Sequence, residues 1–267
     1  MPSPNPTHLV ADGYDGRYRF SGMVFESSDH GPQLCGVVMQ FYPPQCSGPD
    51  VGGWAWAGLG AESDSGTTWG EFTVVGTWDG ERLALTEPPV PPVPITEPAG
   101  GPDFATRCPE PDGGWVPPDP DRATDEAMQE AMAAAEATDG YAGAWIDQNN
   151  GGAGASEAND NDPQRIVLNV TTAGDVVAME ATFREVWSGA LCVSTASRSE
   201  AELLAVQQEL LAVEQEPGTG YTSLGISVAT NALEISTWVA TEVDQAALDQ
   251  RFGAGAVRIT GILQPLD

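Results

Sequence analysis

The four cysteines, Cys35, Cys46, Cys108 and Cys192, are the residues whose types and spacing point most directly to chemistry. None of them forms a Cys-x-x-Cys pair, and the ligand spacing of a zinc site is absent. We therefore predict two disulfides, which form and persist in an oxidising compartment. Four cysteines allow three pairings. We favour Cys35–Cys46 and Cys108–Cys192, because each bridge then lies within one proposed domain.

Side chains that could form a hydrolytic centre are scarce. A serine or cysteine nucleophile needs a base, usually histidine, that a third group orients, and the chain has only His8 and His30. A Gly-x-Ser-x-Gly elbow, a Ser-x-x-Lys motif and phosphate-binding loops are absent, and the chain contains no lysine. A pair of carboxylates could still hydrolyse a glycoside. The sequence favours a protein without catalytic activity.

A loop rich in carboxylate and amide oxygens, residues 157–162, is the candidate metal site. Asp160 and Asp162 carry the hard oxygen ligands that calcium prefers. The loop lacks the EF-hand spacing, with no glycine at the sixth position and no glutamate at the twelfth. We predict no cofactor, and calcium at Asp160 and Asp162 is a weak exception.

Three tryptophans form a candidate ligand platform. Trp54 and Trp56 lie two positions apart in a glycine-rich stretch, and Trp69 follows in the next strand. Exposed indole rings can stack on sugars. The alternative is that tryptophans at i and i+2 share one face of a strand and cover a hydrophobic core.

The charge of the chain limits its partners. There are 39 acidic and 10 basic residues, for a net charge of −29. A field of that sign repels phosphate backbones and anionic lipid headgroups, so we predict no binding to nucleic acid or to membrane surfaces. No apolar run is long enough for a transmembrane segment. A protein or a cell-wall glycan is the partner that we expect.

Hydrophobic patterning divides the chain into four parts. Residues 1–12 are predicted as a Pro-rich tether, residues 13–87 as a small all-β barrel, residues 88–107 as a Pro-rich linker and residues 108–267 as an α+β domain. The barrel is OB-like in size. Its predicted strands are Arg17–Glu26, Leu34–Tyr42, Gly52–Leu59, Thr68–Trp78 and Glu81–Thr86, with a hairpin turn at Asp79-Gly80.

The α+β domain is predicted as an antiparallel sheet with helices on one face. Thr124 caps a helix from Asp125 to about Ala137, and Ser199 with Glu202 forms a capping box for a helix that begins at Ser199. A further helix is capped by Asp244. The remaining predicted elements are strands at Tyr141–Asp147, Arg165–Thr171, Ala190–Ser194 and Ala256–Leu263, a helix at Val176–Trp187, and a hairpin of Leu224–Thr230 and Ala232–Glu242 around Asn231.

Several motifs resemble those of exported actinobacterial proteins without assigned function, some of which are lipoproteins. The motifs are Cys35 with Pro43-Pro44-Gln45-Cys46 and Trp54-x-Trp56, Arg184-x-x-Trp187-x-Gly189-x-Leu191-Cys192-Val193, Ala201-Glu202-Leu203, and Phe252-Gly253-x-Gly255-x-Val257. The resemblance implies an extracellular or cell-envelope protein, with a lipid anchor as an option for the native precursor. We expect that an export signal was removed ahead of the Pro-rich start. The α+β domain also resembles, more faintly, the ferredoxin-like prodomains of secreted proteases.

These patterns together predict a non-catalytic, acidic, secreted or cell-envelope binding module. The ligand is not identified by the sequence. The alternative is an inhibitor or prodomain-like partner of a secreted protease. A carboxylate-based glycoside hydrolase is the third interpretation, and it has the least support because no groove signal accompanies the acidic residues.

Overall fold

The protein has a mixed α/β fold that is richer in strands than in helices. The computed structural model describes residues 7–39, 41–93, 104–148, 162–213 and 220–266. Within these residues the strands of the N-terminal part are β1 (Leu9–Val10), β2 (Arg17–Ser27), β3 (His30–Leu34), β4 (Asp50–Gly52), β5 (Glu62–Asp64), β6 (Thr67–Trp78) and β7 (Arg82–Leu85).

The rest of the chain alternates helices and strands, after a 3₁₀ turn at Pro120–Arg122. Its first elements are α1 (Asp125–Glu136), β8 (Tyr141–Asp147), β9 (Val167–Thr172), α2 (Val176–Val186) and β10 (Ala190–Thr195). The others are α3 (Glu200–Val213), β11 (Ser223–Ser227), β12 (Ala232–Thr237), β13 (Ala240–Thr241), α4 (Glu242–Phe252), β14 (Val257–Gly261) and β15 (Gln264–Leu266).

Five strands of the N-terminal part pair in a cycle that runs β2, β3, β4, β7, β6 and back to β2. The long strands β2 and β6 pair antiparallel over almost their full length. The pairing in this cycle is shortest between β3 and β4, which share the single residue pair Gln33↔Asp50. The barrel that the sequence predicts is therefore present as a partial ring.

Alternate residues of β2 and β6 point into this ring and form its core. A side chain at Gly76 would be incompatible with the packing, because a Cβ atom there would lie 2.4 Å from the carbonyl oxygen of Ala84. The glycine thus allows β6 and β7 to approach closely where the sheet bends. The buried members of the core are Val10, Tyr18, Phe20, Val24, Leu34, Val51, Phe72, Val74, Leu83 and Leu263.

Two of the predicted strands are wrong. The strand expected at Leu34–Tyr42 instead ends at Leu34, as β3, and the following residues form a loop that a disulfide closes. The strand expected at Gly52–Leu59 does not form beyond its first residue. Strand β4 ends at Gly52, because Gly53 adopts a φ of 82° and turns the chain. Both segments are apolar, and apolar content without strict alternation does not define a strand.

The C-terminal part consists of two units with one element order, helix–strand–strand–helix–strand. The first unit is α1-β8-β9-α2-β10, and the second is α3-β11-β12-α4-β14, with the short β13 before α4. In each unit the first two strands pair antiparallel and the last two pair parallel. The buried pairs Leu168↔Leu191 and Leu233↔Val257 occupy corresponding positions.

These units correct the prediction of one antiparallel, ferredoxin-like sheet. Each unit has its own three-stranded mixed sheet, with orders β10-β9-β8 and β11-β12-β14. A parallel pair needs a crossover of about a dozen residues or more, usually a helix. The helices α2 and α4 supply these crossovers, so the strands on either side of each helix run in the same direction.

Capping residues define where the helices begin. The hydroxyl of Thr124 accepts a hydrogen bond from the backbone N–H of Ala127, and the carboxylate of Asp175 caps α2. Helix α4 is capped by Thr241, not by Asp244 as predicted. Asp244 occupies the third helical position of a capping box and accepts a hydrogen bond from the Thr241 N–H.

The central strand β9 is buried along its whole length because both faces of its sheet are covered. Helices α1 and α2 cover one face through a cluster that includes Phe183 and Trp187. The segment 104–116 crosses the other face, where the disulfide Cys108–Cys192 and Trp115 pack against Val167.

The ring and the second unit share strands and core. Strand β15 pairs with β2, and β1 pairs with β13, so the first and last described segments of the chain each cross to the other part. Leu263 lies in the ring core, with Trp238 packed against it. The predicted separation into two domains is not confirmed. Two residues of the predicted tether, Leu9–Val10, are in a strand.

Candidate functional site

The segment between β3 and β4 is a loop closed by the disulfide Cys35–Cys46, whose Cα atoms are 5.6 Å apart. Its base is fixed to the ring. The Cys35 N–H donates to the carbonyl oxygen of Met23 at 3.0 Å, and the Leu34 N–H donates to that of Pro49 at 2.9 Å. Gly48 is required there, because a Cβ atom would lie 1.9 Å from the carbonyl oxygen of Leu34.

This disulfide loop presents the densest group of solvent-exposed large hydrophobic side chains in the described chain. The exposed fractions are 58% for Val37, 52% for Met39, 63% for Phe41 and 77% for Tyr42. Apolar surface left in water costs about 25 cal/mol per Å² relative to burial. Val37 and Met39 line one groove beside the loop, and Phe41 and Tyr42 line another. Exposed apolar side chains grouped in this way are typical of interaction sites.

The loop is supported from within. Met39 and Gln45 pair across it, with the Met39 N–H donating to the Gln45 carbonyl at 2.9 Å and the Gln45 N–H returning the bond at 3.4 Å. Val38 packs against a buried cluster that includes Trp69, and Pro44 is buried. The described part of the loop backbone is therefore held at its base and at the Met39–Gln45 pair.

Two grooves border the disulfide loop. The larger, about 830 Å³, lies between the loop and the second unit, and it is lined by His30, Met39, Tyr221 and Trp238 among others. The smaller, about 460 Å³, is lined by Met23, Val38, Phe41, Tyr42, Pro44, Glu62, Trp69 and Glu71. Because the larger groove is built from both parts of the chain, the ring alone would not form it.

Negative charge surrounds this apolar surface. The carboxylates of Asp29, Glu62 and Glu71 line the two grooves, and no arginine does. The four ion pairs that the described residues form, including Arg17 with Glu87 and Arg251 with Glu209, involve other residues. An apolar loop with an acidic rim complements an apolar cleft with a basic rim.

The predicted tryptophan platform is divided by the structure. The rings of Trp54 and Trp56 contact each other edge-on at 5.0 Å, and both pack on Phe72 of the ring core. The Trp56 indole N–H donates to the Glu26 carboxylate. Trp69 is buried in a different cluster with Phe25. Trp54 and Trp56 thus cover the core, and Trp69 supports the disulfide loop.

The metal prediction falls mostly on residues that the structure does not describe. Asp160 lies outside them. Asp162 is described, and its carboxylate accepts a hydrogen bond from the Gln164 N–H at 3.0 Å. Among the residues placed by the structure, no group of three or more His, Cys, Asp or Glu side chains converges as metal ligands would. Calcium at this loop stays a prediction.

The cysteines form the favoured pairing, Cys35–Cys46 and Cys108–Cys192. Two disulfides indicate an oxidising environment of the kind found outside the cytoplasm. The second bridge ties the segment 104–116 to β10. Thr106 anchors the same segment, because its N–H and hydroxyl both donate to the buried Asp147 carboxylate, at 2.7 and 2.8 Å.

The carboxyl groups with shifted pKa values have structural roles. Hydrogen bonds from the backbone N–H groups of Glu81 and Arg82 lower the pKa of Asp79 in the turn after β6. Hydrogen bonds from Ser199 lower the pKa of Glu202 in the capping box of α3. The general acid of a glycosidase needs the opposite shift, so neither group suits that role.

The residues that the sequence interpretation missed are the exposed members of the disulfide loop, Val37, Met39, Phe41 and Tyr42. The hydrophobic pattern predicts them as part of a strand, Leu34–Tyr42. The available signal was the run of apolar residues without alternation, followed by Pro43-Pro44 and placed between two cysteines. Such a run cannot continue a sheet ladder through proline, which points to an exposed loop.

Comparison with known proteins adds no assignment. No known family model matches the chain, and no curated protein matches it at a significant level. Among the helices placed by the structure, none is long and apolar enough to cross a membrane.

Proposed function

We propose that this protein is a non-catalytic binding module that uses its disulfide loop to dock into an apolar cleft of a partner protein. One observation carries the proposal: Val37, Met39, Phe41 and Tyr42 are all exposed on a loop whose ends are covalently joined. In the free chain, most of the apolar surface of these side chains is exposed to water. Burial against a partner would recover the hydrophobic free energy.

The construction of the loop suits binding because its conformation is set before the partner arrives. Ordering a flexible segment on binding costs roughly 0.5–1.5 kcal/mol for each immobilised side chain that is rich in rotamers. The disulfide, the Met39–Gln45 pairing and the buried Pro44 remove part of that cost. The exposed aromatic residues Phe41 and Tyr42 are of the kind that anchors protein interfaces.

Charge restricts the partner to a protein surface of opposite sign. The rim residues Asp29, Glu62 and Glu71 and the net charge of −29 favour a cleft bordered by lysine or arginine. The same field disfavours nucleic acid. A cell-wall glycan is the other partner that the sequence suggests. Trp54 and Trp56, whose rings could stack on a sugar, pack on the ring core instead. The disulfide loop is therefore the better supported binding surface.

The setting that we propose is the cell exterior or envelope. The two disulfides support it, and so does the resemblance of the Cys35, Pro43-Pro44-Gln45-Cys46 and Trp54-x-Trp56 motifs to exported actinobacterial proteins. A lipid anchor in the native precursor belongs to the same proposal. Within it, the partial ring corresponds to the OB-like barrel, which serves as the rigid base of the loop.

A photo-cross-linking amino acid placed at Val37 tests the docking surface. The matched control carries it at Val177, a valine that is 76% exposed on α2, far along the chain from the loop. In the extracellular fraction of the producing cells, we expect one protein to cross-link to position 37 and not to position 177. Phe41→Asp should abolish that cross-link, since it places a charge in the buried contact.

Two results would contradict the proposal. The first is equal cross-linking from positions 37 and 177, which would mean that the loop surface is not selective. The second is sedimentation of the protein with purified cell walls to the same extent in Phe41→Asp and the unchanged protein, which would assign binding to a glycan and to another surface.

A further inference from the structure

We infer that the cleft between helices α3 and α4 binds a small, uncharged, largely apolar molecule that carries one hydroxyl or carbonyl group. This inter-helix cleft has a volume of about 340 Å³, which lies within the usual range of small-molecule sites, about 300–1,000 Å³. None of the exposed residues of the disulfide loop lines it. The inference therefore concerns a second site and does not depend on docking by the loop.

The cleft exists because the two units of the C-terminal part place their helices differently. In the first unit α1 and α2 pack directly against each other, and their side chains share one buried cluster. In the second unit α3 packs against β8, β11 and β12, whereas α4 packs against β13 and β14. Since β11 and β14 are the two edge strands of this sheet, the helices are separated and the space between them is open.

A difference in sequence accounts for the position of α4. The fourth residue of α2 is Met179, which is buried, and the fourth residue of α4 is Gln245. The Gln245 side chain donates to the carbonyl oxygen of Val257 at 2.9 Å and accepts from the Ile259 N–H at 3.1 Å. These polar contacts hold α4 at the edge strand β14, where it does not close the space beside α3.

The interior of the cleft is apolar. Leu210 of α3, Leu248 of α4, Val239 and Ile259 are among the side chains that line it. Leu248 is only partly buried, and α4 contributes no fully buried residue to the fold. Apolar surface therefore stays accessible between the helices, and a ligand that covered it would gain hydrophobic free energy.

The charged groups of the cleft are already paired, which favours an uncharged ligand. Asp244 and Arg251 are the charged side chains in its described lining. The Asp244 carboxylate accepts from the N–H and the hydroxyl of Thr241. Arg251 donates through Nε to the Glu209 carboxylate of α3 at 3.0 Å. This ion pair also links the two helices, so a partner helix, about 10 Å in diameter, would not fit between them as a small molecule does.

One polar group in the cleft is available to orient a ligand. Thr237, at the end of β12, lines the cleft, and its hydroxyl makes no hydrogen bond with another residue of the described chain. A hydroxyl can donate one hydrogen bond and accept others. A ligand hydroxyl or carbonyl at this position would therefore be recognised, while the apolar body of the ligand lies between Leu210 and Leu248.

The test is isothermal titration calorimetry at neutral pH on the full chain with both disulfides intact. The probe is 2-naphthol, which is uncharged, with naphthalene and 2-naphthalenesulfonate as matched compounds that lack the hydroxyl or carry a negative charge. We expect saturable binding of one 2-naphthol per chain and no binding of the sulfonate. Thr237→Val should weaken binding of 2-naphthol about fivefold, as for one neutral hydrogen bond, and leave binding of naphthalene unchanged.

Two neighbouring alanines of α4 provide a matched pair of variants. Ala247 lines the cleft, whereas Ala246 is exposed and does not. Ala247→Trp should weaken binding of 2-naphthol by roughly tenfold or more, because the indole ring occupies the space of the ligand. Ala246→Trp adds the same ring outside the cleft and should bind like the unchanged protein. Thermal unfolding of both variants confirms that the fold is retained.

Glu209→Gln tests the role of the ion pair through a gain of binding. It leaves Arg251 without its carboxylate, so the variant should bind 2-naphthalenesulfonate, which misfolding would not cause. Glu200→Gln removes the same charge from the other end of α3 and should not bind the sulfonate.

The inference is overturned if 2-naphthol shows no saturable binding, or if Ala247→Trp binds it as tightly as Ala246→Trp does. It is also overturned if the unchanged protein binds the sulfonate as tightly as 2-naphthol, or if Glu209→Gln binds the sulfonate no better than Glu200→Gln. Either of the last two results would show that charge pairing does not select the ligand.

Discussion

The ring of Tyr42 stands edge-on against that of Trp69, with the centroids 5.9 Å apart and the ring planes at 89°. One member of this pair is 77% exposed and the other is 5% exposed. The contact therefore joins the tip of the disulfide loop to the separate buried cluster that Trp69 forms with Phe25 and Cys35. Trp69 should thus contribute both to the stability of the ring and to the position of the disulfide loop. Substitutions at Trp69 and at Tyr42 separate these two contributions.

Trp69→Ala should lower the free energy of unfolding by about 3–5 kcal/mol, because it removes a large buried side chain and leaves a cavity. Tyr42→Ala should lower it by about 1 kcal/mol or less, since the tyrosine ring is mostly in water and contributes mainly its edge contact. Urea unfolding of both variants measures the difference. Equal losses would show that Trp69 does not support the ring as its burial indicates.

The two disulfides should differ in their contributions to stability. In the chain-entropy model the short loop of Cys35–Cys46 gives about 3 kcal/mol and the long loop of Cys108–Cys192 gives about 4.5 kcal/mol. Replacing each pair by alanine and measuring unfolding in guanidinium chloride tests this order. Loss of the short bridge should also abolish loop-dependent binding, which loss of the long bridge should leave intact. The reverse pattern would contradict the assigned roles.

The capping box of α3 should make stability depend on pH. The Ser199 N–H and hydroxyl both donate to the Glu202 carboxylate and lower its pKa below the ordinary value of 4.5. Because the folded pKa is the lower one, the contribution is complete above the unfolded pKa and is lost as pH falls through the folded pKa. Glu202→Gln should remove this component.

The measurement is the free energy of unfolding of the unchanged protein and of Glu202→Gln, at neutral pH and at a pH below the folded pKa. Comparing the two proteins separates the contribution of Glu202 from that of the other carboxylates. The two proteins should differ at neutral pH and converge in acid. Ser199→Ala should cost about 1 kcal/mol at neutral pH through loss of the cap. A constant difference between Glu202→Gln and the unchanged protein at both pH values would refute the assignment.

Gly76→Ala should destabilise the protein by about 1–3 kcal/mol, because the added Cβ would meet the Ala84 carbonyl oxygen at 2.4 Å and push β6 away from β7. Gly225→Ala is the matched control, since it lies in a strand with no atom within 4 Å of the added Cβ. That change should stay within about 0.5 kcal/mol. Thermal unfolding of both distinguishes a packing effect from a general effect of alanine in strands.

Features that depend on near neighbours were predicted well. Thr124 caps α1 and Ser199 pairs with Glu202, as the spacing of those residues indicates. The Asp79-Gly80 turn also forms, because the Asp79 carboxylate accepts the backbone N–H groups of Glu81 and Arg82 and Gly80 adopts a φ of 103°. Each of these arrangements is determined within three or four residues.

The capping residue of α4 shows the limit of such local rules. Thr241 and Asp244 are both good caps, and a sequence with two candidates three positions apart fits either start. The pairing of β13 with β1 places residues 240–241 in a strand, so the helix begins directly after them. A contact with residues more than two hundred positions away thus selected the cap.

The sequence predicted the disulfide of the candidate site but not the exposure of its apolar side chains. The bridge Cys35–Cys46 could be favoured because both cysteines lie in one proposed domain, but Val37, Met39, Phe41 and Tyr42 have the apolar character of a buried strand. Their exposure follows from the lack of a neighbouring strand to cover them, and the sequence does not encode neighbours directly.

The sequence by itself determined the local periods, the caps, the turns and the supply of cysteines and acidic residues, because these depend on side-chain chemistry and short spacing. Only the tertiary structure decided which strands meet and in which direction. Strands β9 and β10 run parallel, β15 joins β2, and the disulfide loop is left uncovered. Those outcomes depend on which apolar faces pack together in the folded chain. Such packing is decided by contacts between segments distant in sequence, so the pattern of one segment does not predict it.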